Sequence, residues 1–210
     1  MVKQGRFCFN HPVTFNKWED KGSAQYDKWD SHSAYEVTHV VIAPLLRDDP
    51  DGIEYGEPIK LTDRAILHEQ SSVVKQTPIC CFRMVTENEV VFHRKSMSYS
   101  LGDIADRIHQ EFGHDSYVMI QAVPFLERMK RHGVQISGGV IYSDLLNEQE
   151  IDVPRDQRDF VDQLFRKDKK YEWQKEYRLA LSPSTNNPVF LEIGSIEDIA
   201  FWGKLSDLRD

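Results

Sequence analysis

The sequence has few cysteines and no long hydrophobic run. Three cysteines, Cys8, Cys80 and Cys81, stand among 210 residues, which is typical of a protein that folds in a reducing compartment without disulfides. Cys80 and Cys81 are adjacent, so on a strand they would point to opposite faces, and we expect structural thiols rather than a chelating pair. No apolar run approaches the ~20 residues of a membrane span, and residues 1–5 lack the apolar core of a secretion signal. These absences predict a cytoplasmic protein without a membrane partner.

The sequence also lacks the short motifs that mark common catalytic and binding sites. It contains no Gly-rich phosphate loop, His-Glu-x-x-His pair, Gly-x-Ser-x-Gly elbow or Cys-x-x-Cys pair. The eight histidines are scattered without a second histidine at helical ligand spacing, so we expect no metal site. The net charge of −8 argues against binding to a nucleic-acid backbone, because such binding depends on clustered Lys and Arg.

The composition is that of an ordinary globular protein, with 40% hydrophobic and 29% charged residues. No repeat, low-complexity tract or Gly/Ser linker interrupts the chain, and its length favours one domain over residues 1–210. We predict an α+β fold, with a mixed, mostly antiparallel sheet flanked by two or three amphipathic helices. The predicted strands cover 36–46, 79–85, 117–123, 134–142, 171–181 and 189–193. The predicted helices are one capped by Thr62, one ending at Gly113, one from Pro124 to Gly133 and one over 156–169.

One segment, residues 171–181, has an unusual polarity pattern for a strand. Period two would place Glu172, Gln174, Glu176, Arg178 and Ala180 on one face, and a largely aromatic and aliphatic set on the other. The polar face could meet solvent, with Glu176 and Arg178 paired to neighbouring strands. It could instead line a polar cleft in which a carboxylate and a guanidinium hold a substrate. The nearby basic run at 166–170 is interpreted as a solvated helix end.

Several short motifs, in the same order along the chain, resemble those of a bacterial and phage domain family of unknown function. That family has a Phe-Asn-Asp-Pro-Phe-Asp-like start, a Cys-Phe-Ser-like strand, a late Glu-x-Glu-Tyr-Arg strand and an Ile-x-x-Ile ending. The corresponding segments in this chain are 5–9 with 15–20, 81–83, 139–143, 176–178 and 196–203. Two departures stand out: Lys17-Trp18 replaces Asp-Pro, and Gln174 replaces a glutamate. The family's leading strand and helix are also expected to be missing, which would make this a reduced or inactive form.

The resemblance implies a function, because the strand order of such domains is similar to that of ADP-ribosyltransferase-like proteins, which bind NAD. In that chemistry a late-strand glutamate stabilises the positive charge that develops at the nicotinamide ribose. By this resemblance Glu176 would be the catalytic carboxylate and Arg178 would orient it or bind phosphate. Tyr142 or Trp173 would stack on a ring of the NAD cofactor. These roles are assigned only by analogy between folds.

Two functions therefore stay open at this stage. The first is an NAD- or nucleotide-processing enzyme that acts in bacterial–phage conflict, in a bacterial cytoplasm and with a possible phage origin. The second is a non-enzymatic binding or inhibitor protein of the same fold, which sequesters a protein or a small nucleotide partner. The polar face around Glu176 favours the first function. Gln174 and the expected loss of the leading strand favour the second.

Overall fold

A computed structural model describes residues 2–15, 33–42, 45–49, 52–55, 59–69, 71–93, 98–113, 115–143 and 160–208. Within these residues the predicted α+β class is confirmed, and the sheet pairing is mostly antiparallel. The resembling segment at 15–20 lies almost wholly outside the described residues. No helix in the described part of the chain is long and apolar enough to cross a membrane.

The strands are short, except for two that pair with each other early in the chain. They are β1 (Arg6–Phe9), β2 (Ser33–Ile42), β3 (Leu45–Asp49), β4 (Gly52–Tyr55), β5 (Ile59–Glu69), β6 (Ile79–Arg83), β7 (Val91–His93), β8 (Ser98–Ser100), β9 (Ser116–Ile120), β10 (Ile136–Gly139), β11 (Ile141–Ser143), β12 (Arg166–Asp168), β13 (Glu176–Ala180), β14 (Val189–Glu192) and β15 (Ala200–Lys204). The long pair is β2 with β5. The one parallel pair within the described ranges is β11 with β12.

Among the described residues, two α-helices have ten residues each and three others are short. They are α1 (Pro12–Phe15), α2 (Ser72–Gln76), α3 (Asp103–Phe112), α4 (Ala122–Arg131) and α5 (Phe160–Leu164). Helix α3 ends where the sequence predicts, because Gly113 adopts the left-handed conformation that closes a helix (φ 66°). Helix α4 covers most of the segment predicted from Pro124 to Gly133, but it begins two residues earlier, at Ala122, so the strand predicted over 117–123 ends at Ile120.

The sheet that positions the candidate site has the strand order β10-β13-β6, with β13 in the centre. All its pairs are antiparallel, and Arg178 lies opposite Cys81 on β6 and Gly138 on β10. A bridge between Asn10 and Ile79, with hydrogen bonds of 2.9 and 2.8 Å, joins the end of β1 to the start of β6. Strand β1 in turn pairs with β14, so β13 is held well inside the fold.

The buried apolar residues form three clusters. The first unites β1, α4 and β13 around Phe9, Phe125, Met129 and Leu179. The second packs Leu164 of α5 and Val74 of α2 against the start of β6. The third joins α3 to the 3₁₀ turn Leu205–Leu208. Helix α3 is thus amphipathic as predicted, with Ala105 buried against that turn.

Three further local predictions were wrong. Residues 62–69 form the second half of strand β5 and not a helix, because the backbone pairs with β2 over its whole length. The helix predicted over 156–169 ends at Leu164, and 166–168 is a strand; residues 156–159 lie outside the described ranges. The strand predicted over 171–181 covers only Glu176–Ala180, since Lys169–Gln174 is a 3₁₀ helix.

Candidate functional site: a buried charge cluster and an apolar cavity

Strand β13 has the alternation that the sequence predicts for its five residues. Glu176, Arg178 and Ala180 share one face and are all buried, and Leu179, on the opposite face, is buried as well. The side chain of Arg178 is 0% exposed and Glu176 is 7% exposed. Neither interpretation of the polar face is therefore met as stated, because Glu176 and Arg178 face the protein interior and not bulk solvent or an open cleft.

The Glu176 carboxylate is bound by a cation on each oxygen. Arg178 donates from Nε to Oε1 at 2.6 Å, and Lys167 donates from Nζ to Oε2 at 2.8 Å. Arg178 also donates from Nη1 to the Leu164 carbonyl at 2.6 Å. Glu176 is thus closed in by two charge-assisted hydrogen bonds, which is the arrangement that makes a buried charge tolerable.

Lys167 is the member of this cluster that the sequence analysis missed. It lies on β12, is 5% exposed, and donates a second hydrogen bond from Nζ to Gln174 Oε1 at 2.8 Å. Its ammonium also lies 5.0 Å from the centre of the Tyr171 ring. The interpretation of residues 166–170 as a solvated helix end is therefore wrong for Lys167. No local sequence pattern distinguishes Lys167 from the other basic residues of the run, Arg166, Lys169 and Lys170.

Of the two predicted ring-stacking residues, one contacts the charge cluster and the other packs on a different element. The Tyr142 hydroxyl accepts a hydrogen bond from the backbone N–H of Glu176 at 2.7 Å. Trp173 lies in the 3₁₀ helix that precedes β13, with the Arg107 guanidinium 4.3 Å from its ring centre and Phe112 beside it. The structure thus brings Tyr142, Glu176 and Arg178 together, and Trp173 packs against α3.

Burial and the neighbouring charges shift the pKa values of Glu176 and Tyr142 in this cluster. Burial raises the pKa of the Glu176 carboxyl, but the positive charges of Arg178 and Lys167 outweigh that effect and hold the pKa well below its usual range. Burial also raises the pKa of the Tyr142 hydroxyl above its usual value. At neutral pH the cluster therefore contains an ionised carboxylate, two cations and a neutral phenol.

The opposite face of β13 borders a cavity of about 720 Å³. Its lining includes Tyr177 and Leu179 of β13 but neither Glu176 nor Arg178. The other walls are mainly apolar and come from β6, β9, α3, α4 and the turn after β15, with Phe82, Leu101, Phe125 and Leu205 among them. The cavity thus lies on the side of β13 away from Glu176 and Arg178.

Among the described residues no group of three or more His, Cys, Asp or Glu side chains could hold a metal ion. Comparison of the chain with protein-family models, with curated proteins and with solved structures finds no match in any of the three. The resemblance drawn from short motifs therefore stays a prediction, and function has to be argued from the geometry of this chain.

Proposed function

We propose that this protein is a non-enzymatic binding protein in which the cluster of Lys167, Glu176 and Arg178 is a structural element. The observation that carries the proposal is the occupation of both Glu176 oxygens by cations, at 2.6 and 2.8 Å, in a buried setting. This corresponds to the second of the two functions that the sequence leaves open.

The physical reason lies in what a catalytic carboxylate must do. To stabilise positive charge on a reacting sugar, a carboxylate has to direct an oxygen toward that sugar in a preorganised site. The negative charge of Glu176 is already balanced by Arg178 and Lys167, and a substrate would have to displace one of these cations. Breaking a buried ion pair costs about 3–5 kcal/mol, so such a displacement is unfavourable.

A binding role is also supported by the position of the cavity. It lies on the face of β13 that bears Tyr177 and Leu179, so a ligand there would contact apolar side chains and leave the cluster intact. Gln174 fits this role as well, since its neutral amide oxygen shares the Lys167 ammonium with Glu176. We propose further that the protein acts in bacterial–phage conflict, where it sequesters or inhibits a protein or nucleotide partner.

An NAD-processing enzyme is the second candidate, and one observation favours it. The Tyr142 hydroxyl, which binds the Glu176 backbone, joins Glu176 and Arg178 in one cluster, as a nicotinamide site with these residues requires. In this candidate a movement of the chain would first expose the cluster to NAD. Trp173, in the neighbouring 3₁₀ helix, would stack on a ring of NAD only after a similar movement of that helix.

The two candidates are separated by incubating the purified full chain with NAD, alone and with bacterial lysate, and measuring free nicotinamide and ADP-ribosylated protein by mass spectrometry. We expect no nicotinamide release above the protein-free blank and no modified target. The matched variants are Glu176→Gln and Glu192→Gln, because Glu192 forms an exposed ion pair with Arg6. Release by the wild type and by Glu192→Gln, but not by Glu176→Gln, would overturn the binding proposal.

Because Glu176→Gln can unfold the protein, circular dichroism spectra are recorded for every sample. The wild-type measurement decides between the candidates even where that variant does not fold. Nicotinamide release that follows the wild-type protein through two orthogonal purification steps is sufficient to establish the enzyme.

A further inference from the structure

The cavity beside β13 has the size of a small-molecule site. Its volume is about 720 Å³, within the roughly 300–1,000 Å³ that is typical of ligand pockets. An α-helix with side chains is about 10 Å wide, so this volume would hold roughly six residues of helix. That is less than two turns, and it favours a compact molecule over an inserted helix.

The walls of the cavity are held in place by the fold. Leu179 and Phe125 are fully or almost fully buried, and the rings of Phe82 and Phe125 pack edge to face with their centres 5.3 Å apart. On the far side the backbone N–H of Leu101 donates to the Leu208 carbonyl at 2.8 Å. A cavity with walls fixed in this way is largely preformed, so a ligand pays little to order it.

The charge around the cavity favours a neutral ligand. Arg83 is among the lining residues, and its guanidinium is paired with Glu89 at 2.5 Å and also donates to the Trp173 carbonyl. Lys175 lies 3.3 Å from the other oxygen of Glu89. Arg83, Glu89 and Lys175 are thus engaged with one another, apart from the Nε of Arg83, which is buried without a hydrogen-bond partner, and an ionic ligand would have to compete with these pairs.

The uncharged hydrogen-bonding groups of the wall include two tyrosines. Tyr177 donates from its hydroxyl to Ser137 Oγ at 3.2 Å. The ring of Tyr117 lies against Gly203, where a Cβ would come within 3.0 Å of the hydroxyl oxygen. Glycine at position 203 therefore leaves room for the Tyr117 ring beside β15, and Tyr117 forms part of the cavity wall.

We propose that this cavity is a binding site for a neutral, mainly apolar small molecule with an aromatic or alicyclic body. The inference rests on the proposed binding function and specifies the ligand class for it. The site differs from the Glu176 cluster in position and chemistry, because the two lie on opposite faces of β13.

Two variants on one helix test the site. Ala122 lines the cavity and is exposed at the first position of α4, so Ala122→Trp adds a ring to the cavity without removing a buried contact. Its neighbour Val123 is 70% exposed and is not among the lining residues. Val123→Trp is therefore the matched control for adding a tryptophan to the first turn of α4.

The probe is N-phenylnaphthylamine, a neutral two-part aromatic amine whose fluorescence rises and shifts to the blue in apolar surroundings. Its sulfonated analogue, anilinonaphthalene sulfonate, has the same rings and one negative charge. We expect the folded full chain to bind the neutral probe saturably at one site and at least about tenfold more tightly than the sulfonated one, which is about 1.4 kcal/mol. Ala122→Trp should weaken binding of the neutral probe about tenfold, and Val123→Trp should change its affinity less than twofold.

Three results of the titration would overturn the proposal. These are the absence of saturable binding of the neutral probe, equal weakening by both tryptophan variants, and tighter binding of the sulfonated probe. Sedimentation velocity is run beside the titration, because a second copy of the chain could fill the cavity. A concentration-dependent dimer that Ala122→Trp abolishes and that competes with the probe would assign the cavity to that second copy. Binding of the probe is scored separately from nicotinamide release, so the ligand class and the absence of catalysis can fail independently.

Discussion

The two faces of strand β13 differ in both chemistry and access. One face places Glu176 and Arg178 in a closed cluster with Lys167, while the other places Tyr177 and Leu179 along an apolar cavity. Glu176 and Arg178 are buried against other polar groups, whereas Tyr177 and Leu179 border the cavity, although Leu179 itself is fully buried and Cys81, which pairs with Arg178, is exposed. The comparison shows that an alternating polar pattern in a strand identifies two faces but does not identify which of them faces outward.

The difference follows from what lies on each side of the strand. On the charged side, α5 and β12 supply the Leu164 carbonyl and the Lys167 ammonium, so each charge finds a partner within the protein. On the apolar side, residues of β9, α3, α4 and the turn after β15 enclose a cavity of about 720 Å³ against the sheet. A buried charge needs partners at hydrogen-bond distance, whereas apolar walls tolerate a gap at the cost of lost dispersion contacts.

The largest effect that would test this comparison is the loss of the charge on Glu176. Glu176→Gln leaves Arg178 and Lys167 buried without their common counter-charge, and breaking such a pair costs about 3–5 kcal/mol. Glu192→Gln removes the same charge from an exposed pair, where the side chains of Arg6 and Glu192 are 42% and 74% exposed, and should cost at most about 1 kcal/mol. Urea unfolding followed by circular dichroism measures both values. Equal losses in the two variants would mean that the cluster is not a buried structural unit.

A smaller effect concerns the acid dependence of that same carboxylate. The folded-state pKa of Glu176 lies below its unfolded value of about 4.3, so the cluster stabilises the fold fully above that pH and loses this contribution as the pH falls toward the folded pKa. Each pH unit in this window is worth about 1.4 kcal/mol. The difference in unfolding free energy between the wild type and Glu176→Gln should therefore be about 2 kcal/mol smaller at pH 3 than at pH 5. A difference that stays constant over this range would contradict the lowered pKa.

The sequence predicts part of this arrangement, and the limit has a physical reason. Residues with local signals were placed correctly: Gly113 ends α3, and Glu176 and Arg178 share a face. Lys167 was misjudged because its environment depends on a chain reversal between β12 and β13, completed by Lys175 with a left-handed backbone (φ 42°). No spacing rule predicts such a conformation for a residue other than glycine.

Tertiary pairing and long-range packing account for the other errors. Ala65 and Glu69 favour a helix, yet β5, which contains them, pairs with β2, and pairing of that length overrides local propensity. The cavity could not be predicted, since its walls come from residues between Phe82 and Leu208 that are distant along the chain.

The smallest expected effect is a difference in reactivity between two adjacent cysteines on β6. They pair with residues on opposite faces of β13. Cys80 pairs with Leu179 and Cys81 with Arg178. Burial, together with the nearby Cys8, raises the pKa of the Cys80 thiol to about 12, so at pH 8 only about one molecule in ten thousand would carry a Cys80 thiolate. Cys81 is exposed. Brief treatment of the native protein with iodoacetamide at pH 8, followed by peptide mass mapping of Cys81→Ser beside the wild type, should therefore label Cys81 at least about tenfold faster than Cys80. Faster labelling of Cys80 would mean that the reagent reaches the thiol beside Leu179 through the cavity in solution. It would contradict the assignment of Cys80 as the less accessible of the two thiols.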